Sequence, residues 1–214
     1  MISEADMLKT SEAALVAEVE LRDVHRLIDE QILPQGFVGT NGLRRVQALA
    51  CPLIAFYFET ADRLTAAERR SAIVTITPRL SLIASRGGRS DDLRLRDDYL
   101  TIDFNPFFAR AERNLARLGA ARDAIESDPH VLGGTPVLKG TRVPVHDVAA
   151  SLEAGLNEDR ILEAYPSLTP EMLDLCVLYA QANPLRGRPR REGRVAPGAV
   201  VIEDIAVKRR GAAG

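Results

Sequence analysis

Three features of the sequence predict a mainly α-helical fold with small β-hairpins, an α+β class. Apolar residues recur at i, i+3, i+4 spacing through most of the chain. Proline, asparagine and glycine break that pattern at helix-length intervals. Hairpin signatures are confined to short stretches near residues 36–42, 93–104 and 137–145.

The bulk properties frame the elements. A chain of 214 residues with 46% hydrophobic and 27% charged residues suits one large or two small globular domains. Apolar runs all fall short of the ~20 residues of a membrane span. The first residues carry Glu4 and Asp6 and lack an apolar signal core, so a cytoplasmic location is expected. Cys51 and Cys176 lie in helical patterns and read as buried thiols. The three histidines, His25, His130 and His146, have no ligand-like spacing to them, so no metal and no cofactor is expected. The net charge of −2 conceals an uneven distribution. Residues 121–182 hold 4 basic and 10 acidic side chains, and residues 183–214 hold 8 and 3. The acidic block is a poor partner for a phosphate backbone, which leaves nucleic-acid contact to the N-terminal part, helped by the basic tail.

Four segments are expected, at 1–62, 63–123, 124–184 and 185–214. In the first, Thr10 or Ser11 caps a short helix with Ala13, Ala14 and Val16 apolar. A break at Glu18–Glu20 precedes a second helix from Leu21, with Val24, Leu27 and Ile28 on one face and Leu33–Pro34 as its end. The stretch GFVGTNG, with the Asn41–Gly42 turn signal, reads as a hairpin tip followed by Arg44 and Arg45. Two short helices and a hairpin resemble the winged helix-turn-helix of MerR-like regulators, although Glu18 and Glu20 stand where a small turn residue is usual. That resemblance assigns DNA contact to Arg22, His25 and Arg26 on the second helix and to Thr40, Asn41, Arg44 and Arg45 on the wing. The competing reading is a solvated helix face of mixed charge, because Asp23, Asp29 and Glu30 share it. Arg45 to Ala61 reads as one long helix with Val46, Leu49, Leu53 and Ile54 in its stripe, kinked or broken at Pro52.

In the second segment, Thr65 and Glu68 form a capping box for a helix that meets Pro78. The β-branched run Ile73–Thr77 fits a helix or a strand. Leu93 and Leu95, then Leu100, Ile102 and Phe104, alternate as a hairpin with one buried face. The carboxylates at 91, 92, 97, 98 and 103 raise a metal-dependent nuclease as an alternative, against the ordinary reading of solvated acids. Asn105–Pro106 opens a helix with Phe107, Phe108, Ala111, Leu115 and Leu118 on one face, which is expected to stop at Gly119.

The third segment holds the densest set of backbone-specialised residues. Gly134, Pro136, Gly140, Thr141, Arg142 and Pro144 mark a structural turn between the apolar pairs Val137–Leu138 and Val143–Val145. A phosphate-binding loop needs Gly-Lys-Ser/Thr, whereas Lys139–Gly140–Thr141 reverses the first two, so a nucleotide site is not expected. Three helices follow. One ends at Gly155; one is capped by Asn157; one has Thr169 as N-cap, Pro170 at its first position and Leu173, Cys176, Val177 and Ala180 on its buried side. The run from Asp128–Pro129 through Gly133–Val137 and Lys139–Val145 to Tyr165–Pro166, Leu168–Glu171 and Tyr179–Ala180 resembles the family termed domain of unknown function 433, over residues 124–183. The resemblance implies a trihelical, helix-turn-helix-like domain. It also implies a VapB-like antitoxin, without catalytic residues, paired with a PIN-like ribonuclease toxin.

In the tail, arginines alternate with glycine and proline before an apolar island and Arg209. Val200, Val201, Ile202, Ile205, Val207 and Arg209 form the expected toxin-binding segment, adding a strand to the toxin or packing back on this chain. The combined expectation is a homodimeric antitoxin binding operator DNA. A stand-alone transcription regulator and the metal nuclease are the alternatives.

Overall fold

In the computed structural model the described residues are 2, 6–39, 44–86 (backbone alone from 81 to 86), 93–97 and 100–185. Among them the chain is mainly helical with small antiparallel sheets, as its periodicities predict.

Strand β1 (Met7–Lys9) runs directly into α1 (Thr10–Ala17), which buries Ala13, Ala14, Val16 and Ala17. The expected Thr10 or Ser11 cap is not used. Lys9 holds the cap position, its backbone N–H donates to the Glu12 carboxylate at 2.7 Å, and the Ser11 hydroxyl donates to the Ala182 carbonyl at 2.6 Å. A hydroxyl engaged with a distant helix end cannot cap its own helix. Glu18 ends α1 in the left-handed region at φ 56°, and the Val19 N–H closes the turn on the Ala14 carbonyl at 3.0 Å. Helix α2 (Leu21–Asp29) follows, with Val24 and Leu27 buried. It stops before the expected Leu33–Pro34 boundary, because Gln31 turns left-handed at φ 52° and the Ile32 N–H reaches the Leu27 carbonyl at 3.0 Å. That turn buries Ile32 and Leu33.

The long helix expected from Arg45 to Ala61 is a strand, a turn and a shorter helix. Strand β2 (Val38–Gly39) pairs with β3 (Arg45–Gln47), which also pairs with β1, giving the order β1–β3–β2. Val46 is opposite both Leu8 and Val38. A 3₁₀ turn (Ala48–Ala50) leads into α3 (Cys51–Glu59), whose first turn carries Pro52. The proline therefore starts the helix instead of kinking it, where its missing N–H is no loss.

Helix α4 (Ala66–Arg86) opens on the expected capping box: Glu68 accepts the Thr65 N–H at 2.7 Å, and Thr65 Oγ1 accepts the Glu68 N–H at 3.3 Å. Ile73 to Thr77 is helical, and the helix continues through Pro78. Pro78 and Val74, the residue whose carbonyl loses its donor, are both exposed, so water can serve that oxygen. Strands β4 (Arg94–Arg96) and β5 (Thr101–Asp103) form the expected hairpin. Leu93 and Phe104 are buried at its ends, but Leu100 is exposed. Helix α5 (Asn105–Asp123) runs past the expected stop at Gly119 and buries Ala121. A glycine inside a helix costs about 1 kcal/mol, which the packing of its last turn offsets.

Strand β6 (Ile125–Glu126) pairs with β7 (Val137–Leu138). Helices α6 (Val145–Glu153), α7 (Glu158–Ala164) and α8 (Pro170–Ala182) follow. Gly155 turns the chain after α6 at φ 84°; Asn157 and Thr169 cap α7 and α8 through the Asp159 and Met172 N–H groups. Val177 and Ala180, expected on the buried side of α8, are only half-buried, whereas Leu178 and Ala182 are buried. The reason is that α8 serves two apolar clusters. Leu173 and Cys176 join Leu138, Val145, Val148 and Ile161, while Leu178 and Ala182 join the larger cluster that includes α1, α3 and α5. In the latter, Phe56 and Phe104 pack with ring centroids 4.5 Å apart.

Candidate nucleic-acid interface

The short link of Glu18 to Glu20 sets α2 directly after α1, and the buried Val24 and Leu27 fix which side of α2 faces inward. Arg22 and Arg26 are consequently exposed. His25 is half-buried, with its Nε2 3.2 Å from Thr10 Oγ1, so it is tied to α1. Arg26 Nε donates to Glu30 Oε1 at 2.8 Å. This contact holds the Glu30 carboxyl below its ordinary range and raises the Arg26 guanidinium further above neutrality. Arg70 of α4 also reaches Glu30, at 3.3 Å. Arg44, just before β3 at the loop end of the β2–β3 hairpin, pairs with Asp29 at the end of α2 at 2.7 Å. Arg45, in β3, is half-buried.

Helix and hairpin are therefore joined, but their cations are interleaved with carboxylates. Arg26 and Arg44 each have a carboxylate partner, Glu30 and Asp29. Arg70 was not anticipated: it lies forty residues from Glu30, and its capping-box helix carries no local sign of that proximity. Thr40 and Asn41 lie outside the described residues, as do Val200, Val201, Ile202, Ile205, Val207 and Arg209.

The expected turn residues meet one another. Gly134 (φ 85°) donates to the Val131 carbonyl at 3.0 Å, and the Pro136 carbonyl accepts the Val145 N–H at 3.0 Å. Gly140 (φ 73°) donates to Glu126 Oε1 at 3.1 Å. Thr141 Oγ1 donates to the Leu138 carbonyl at 2.8 Å and accepts the Val143 N–H at 3.1 Å. Pro144 bridges to Val137, and Arg142 is exposed.

Of the expected acids, Asp91, Asp92 and Asp98 lie outside the described residues, and Asp97 is exposed. Asp103 accepts Arg94 Nε at 2.9 Å and the Asn105 N–H at 2.9 Å. Among the described residues, no three His, Cys, Asp or Glu side chains are grouped to hold a metal, and no helix is long and apolar enough to cross a membrane. Cys51 and Cys176 are free and buried; burial pushes the Cys176 thiol up to about 11 and the Cys51 thiol higher still.

A relative described as "Uncharacterized protein y4eO", from Sinorhizobium fredii (strain NBRC 101917 / NGR234), is 50% identical over 209 residues, which is 96% of this chain and 95% of that protein. The chain belongs to the y4eO family. Residues 125–180 of this chain match the family described as "Protein of unknown function (DUF433)", in agreement with the resemblance drawn from the turn and helix motifs. The crystal structure of Rv2018 from Mycobacterium tuberculosis is similar over 83% of this chain and all of that one, at 16% identity and a TM-score of 0.33.

Proposed function

We propose that the chain is a DNA-binding antitoxin of a type II toxin–antitoxin pair. Helices α1 and α2 act as a MerR-like helix-turn-helix and the β2–β3 hairpin as its wing. Two copies bind a palindromic operator and repress their own transcription. The 125–180 segment and the chain that follows it engage and block a PIN-like ribonuclease.

The Arg44–Asp29 contact is the observation that carries the DNA side of this reading. It links the loop end of the hairpin to the end of α2, so the arginines of helix and hairpin are held side by side. Groove entry by a helix together with backbone contact by a wing requires that coupling. On binding, a phosphate replaces Glu30 as the partner of Arg26, while the guanidinium donors of Arg44 that Asp29 leaves free take a second phosphate. Exposed ion pairs contribute little to stability, so the exchange is cheap.

Two measurements test the reading. A gel-shift titration uses DNA from upstream of the chain's own reading frame. Co-purification then asks whether the product of the neighbouring frame is held. Saturable, sequence-selective binding and a captured ribonuclease are expected. Binding without any captured partner would replace the antitoxin by a stand-alone regulator, and neither result would reject both roles.

A further inference from the structure

A cleft of about 760 Å³ is lined by α1, α5, α6, α7, α8 and the link between α6 and α7. Part of its lining is apolar, including Leu15, Leu156 and Val177. Its polar part is dominated by acceptors: Glu18, Glu158, Asp159 and Asp174 meet a single cation, Arg117. Glu18 is engaged by Asn114 at 2.9 Å and by Arg110 at 3.6 Å. Glu158, Asp159 and Asp174 have no ion pair among the described residues.

A second observation, independent of these acids, comes from Asn114. The residue is more than nine-tenths buried, at 8% exposure. Its Nδ2 donates to the Val16 carbonyl at 3.1 Å and to Glu18 Oε1. Its Oδ1 has no partner among the described residues. No fully buried side-chain oxygen there lacks a hydrogen bond, so this one is reached by solvent, and the cleft is the cavity that Asn114 lines. A nearly buried acceptor beside unpaired carboxylates and apolar side chains calls for a ligand with several donors on an apolar stem. Arginine has that form: a planar fork of donors on a methylene chain.

We infer that this cleft binds an arginine-bearing, otherwise apolar segment of a partner protein. The guanidinium meets Asp159, Asp174 and the Asn114 oxygen, and the stem and neighbouring apolar side chains cover Leu156 and Val177. The site uses none of the residues assigned to DNA, so operator binding neither supports nor weakens it.

The test is calorimetric titration of the full chain with three probes: a short amphipathic peptide of leucine and arginine, the same peptide with glutamate for arginine, and spermine. The arginine peptide binds and the other two bind far more weakly. The double variant Asp159→Asn, Asp174→Asn weakens the arginine peptide by at least about tenfold, the scale of losing charge-assisted hydrogen bonds. Arg117→Glu tightens it, a direction that a folding defect would not produce. Undiminished binding by the double variant, equal binding of the glutamate peptide, or spermine binding as tightly as the arginine peptide would each overturn the inference.

Discussion

The Asn114 side-chain nitrogen lies 2.9 Å from the Glu18 carboxylate, across 96 residues of sequence. The same nitrogen donates to the Val16 carbonyl. One buried amide thus locks the left-handed turn between α1 and α2 onto α5, with Arg110 as a further hold on Glu18. Because α2 carries the proposed recognition arginines, this lock determines how they are presented.

Replacing Asn114 tests that lock. Asn114→Ala leaves the Val16 carbonyl without its side-chain donor and removes the link to Glu18. A loss of about 1–3 kcal/mol is expected in chemical denaturation. Glu18→Gly should cost much less, because glycine relieves the positive φ while the side-chain contacts are lost. A larger loss for Glu18→Gly than for Asn114→Ala would show that the turn, not the amide, holds the two helices.

The buried Glu12 gives a second prediction. Its side chain is 3% exposed and accepts Arg122 Nη2 at 2.8 Å. Arg122→Ala leaves that carboxylate with Lys9 alone, and a loss of about 1–3 kcal/mol is expected, less than for a fully buried pair because Arg122 is half-exposed. Arg122→Lys should recover part of it. Equal melting temperatures for wild type and Arg122→Ala would place the pair among contacts of no consequence.

Acid sensitivity should depend on Asp103. Burial raises its carboxyl pKa, but the Asn105 N–H, the Asn105 side chain and Arg94 together hold it below the ordinary value. A depressed folded-state pKa stabilises fully above the unfolded value of about 4, and that stability is lost as pH falls through the lower folded value. Thermal melts from neutral pH downward should therefore show a steeper acid limb for wild type than for Asp103→Asn. Parallel limbs would mean that the carboxylate is not protonated differently on folding.

The DNA reading predicts opposite effects from the arginines and from Glu30 at the end of α2. Arg26→Ala and Arg45→Ala should each weaken operator binding and lower the salt slope by about one unit per lost phosphate contact. Glu30→Gln should strengthen binding, since it frees Arg26 and Arg70 from a competing carboxylate. Gel-shift titration over a range of salt measures all three. No response to Glu30→Gln, with a loss for Arg26→Ala, would show that the ion pair is not exchanged for phosphate.

What the sequence by itself determined is what acts over a few residues. The Thr65–Glu68 box, the Asn157 and Thr169 caps, Pro170 in a first turn, the Gly155 stop and the turn at Gly140–Thr141 all operate in the positions their chemistry demands. The tertiary structure decided the rest. The three-residue strands β1 and β3 carry no readable alternation of their own, and they form where the fold brings β3 between β1 and β2. Gly119 and Pro78 fail to stop their helices because packing and solvent access outweigh a local preference. The pairs Arg44–Asp29, Arg70–Glu30, Arg122–Glu12 and Asn114–Glu18 follow from which faces the core buries. A side chain's sequence neighbours govern its backbone, but its charge partner is whichever group the packing of distant apolar faces brings within reach.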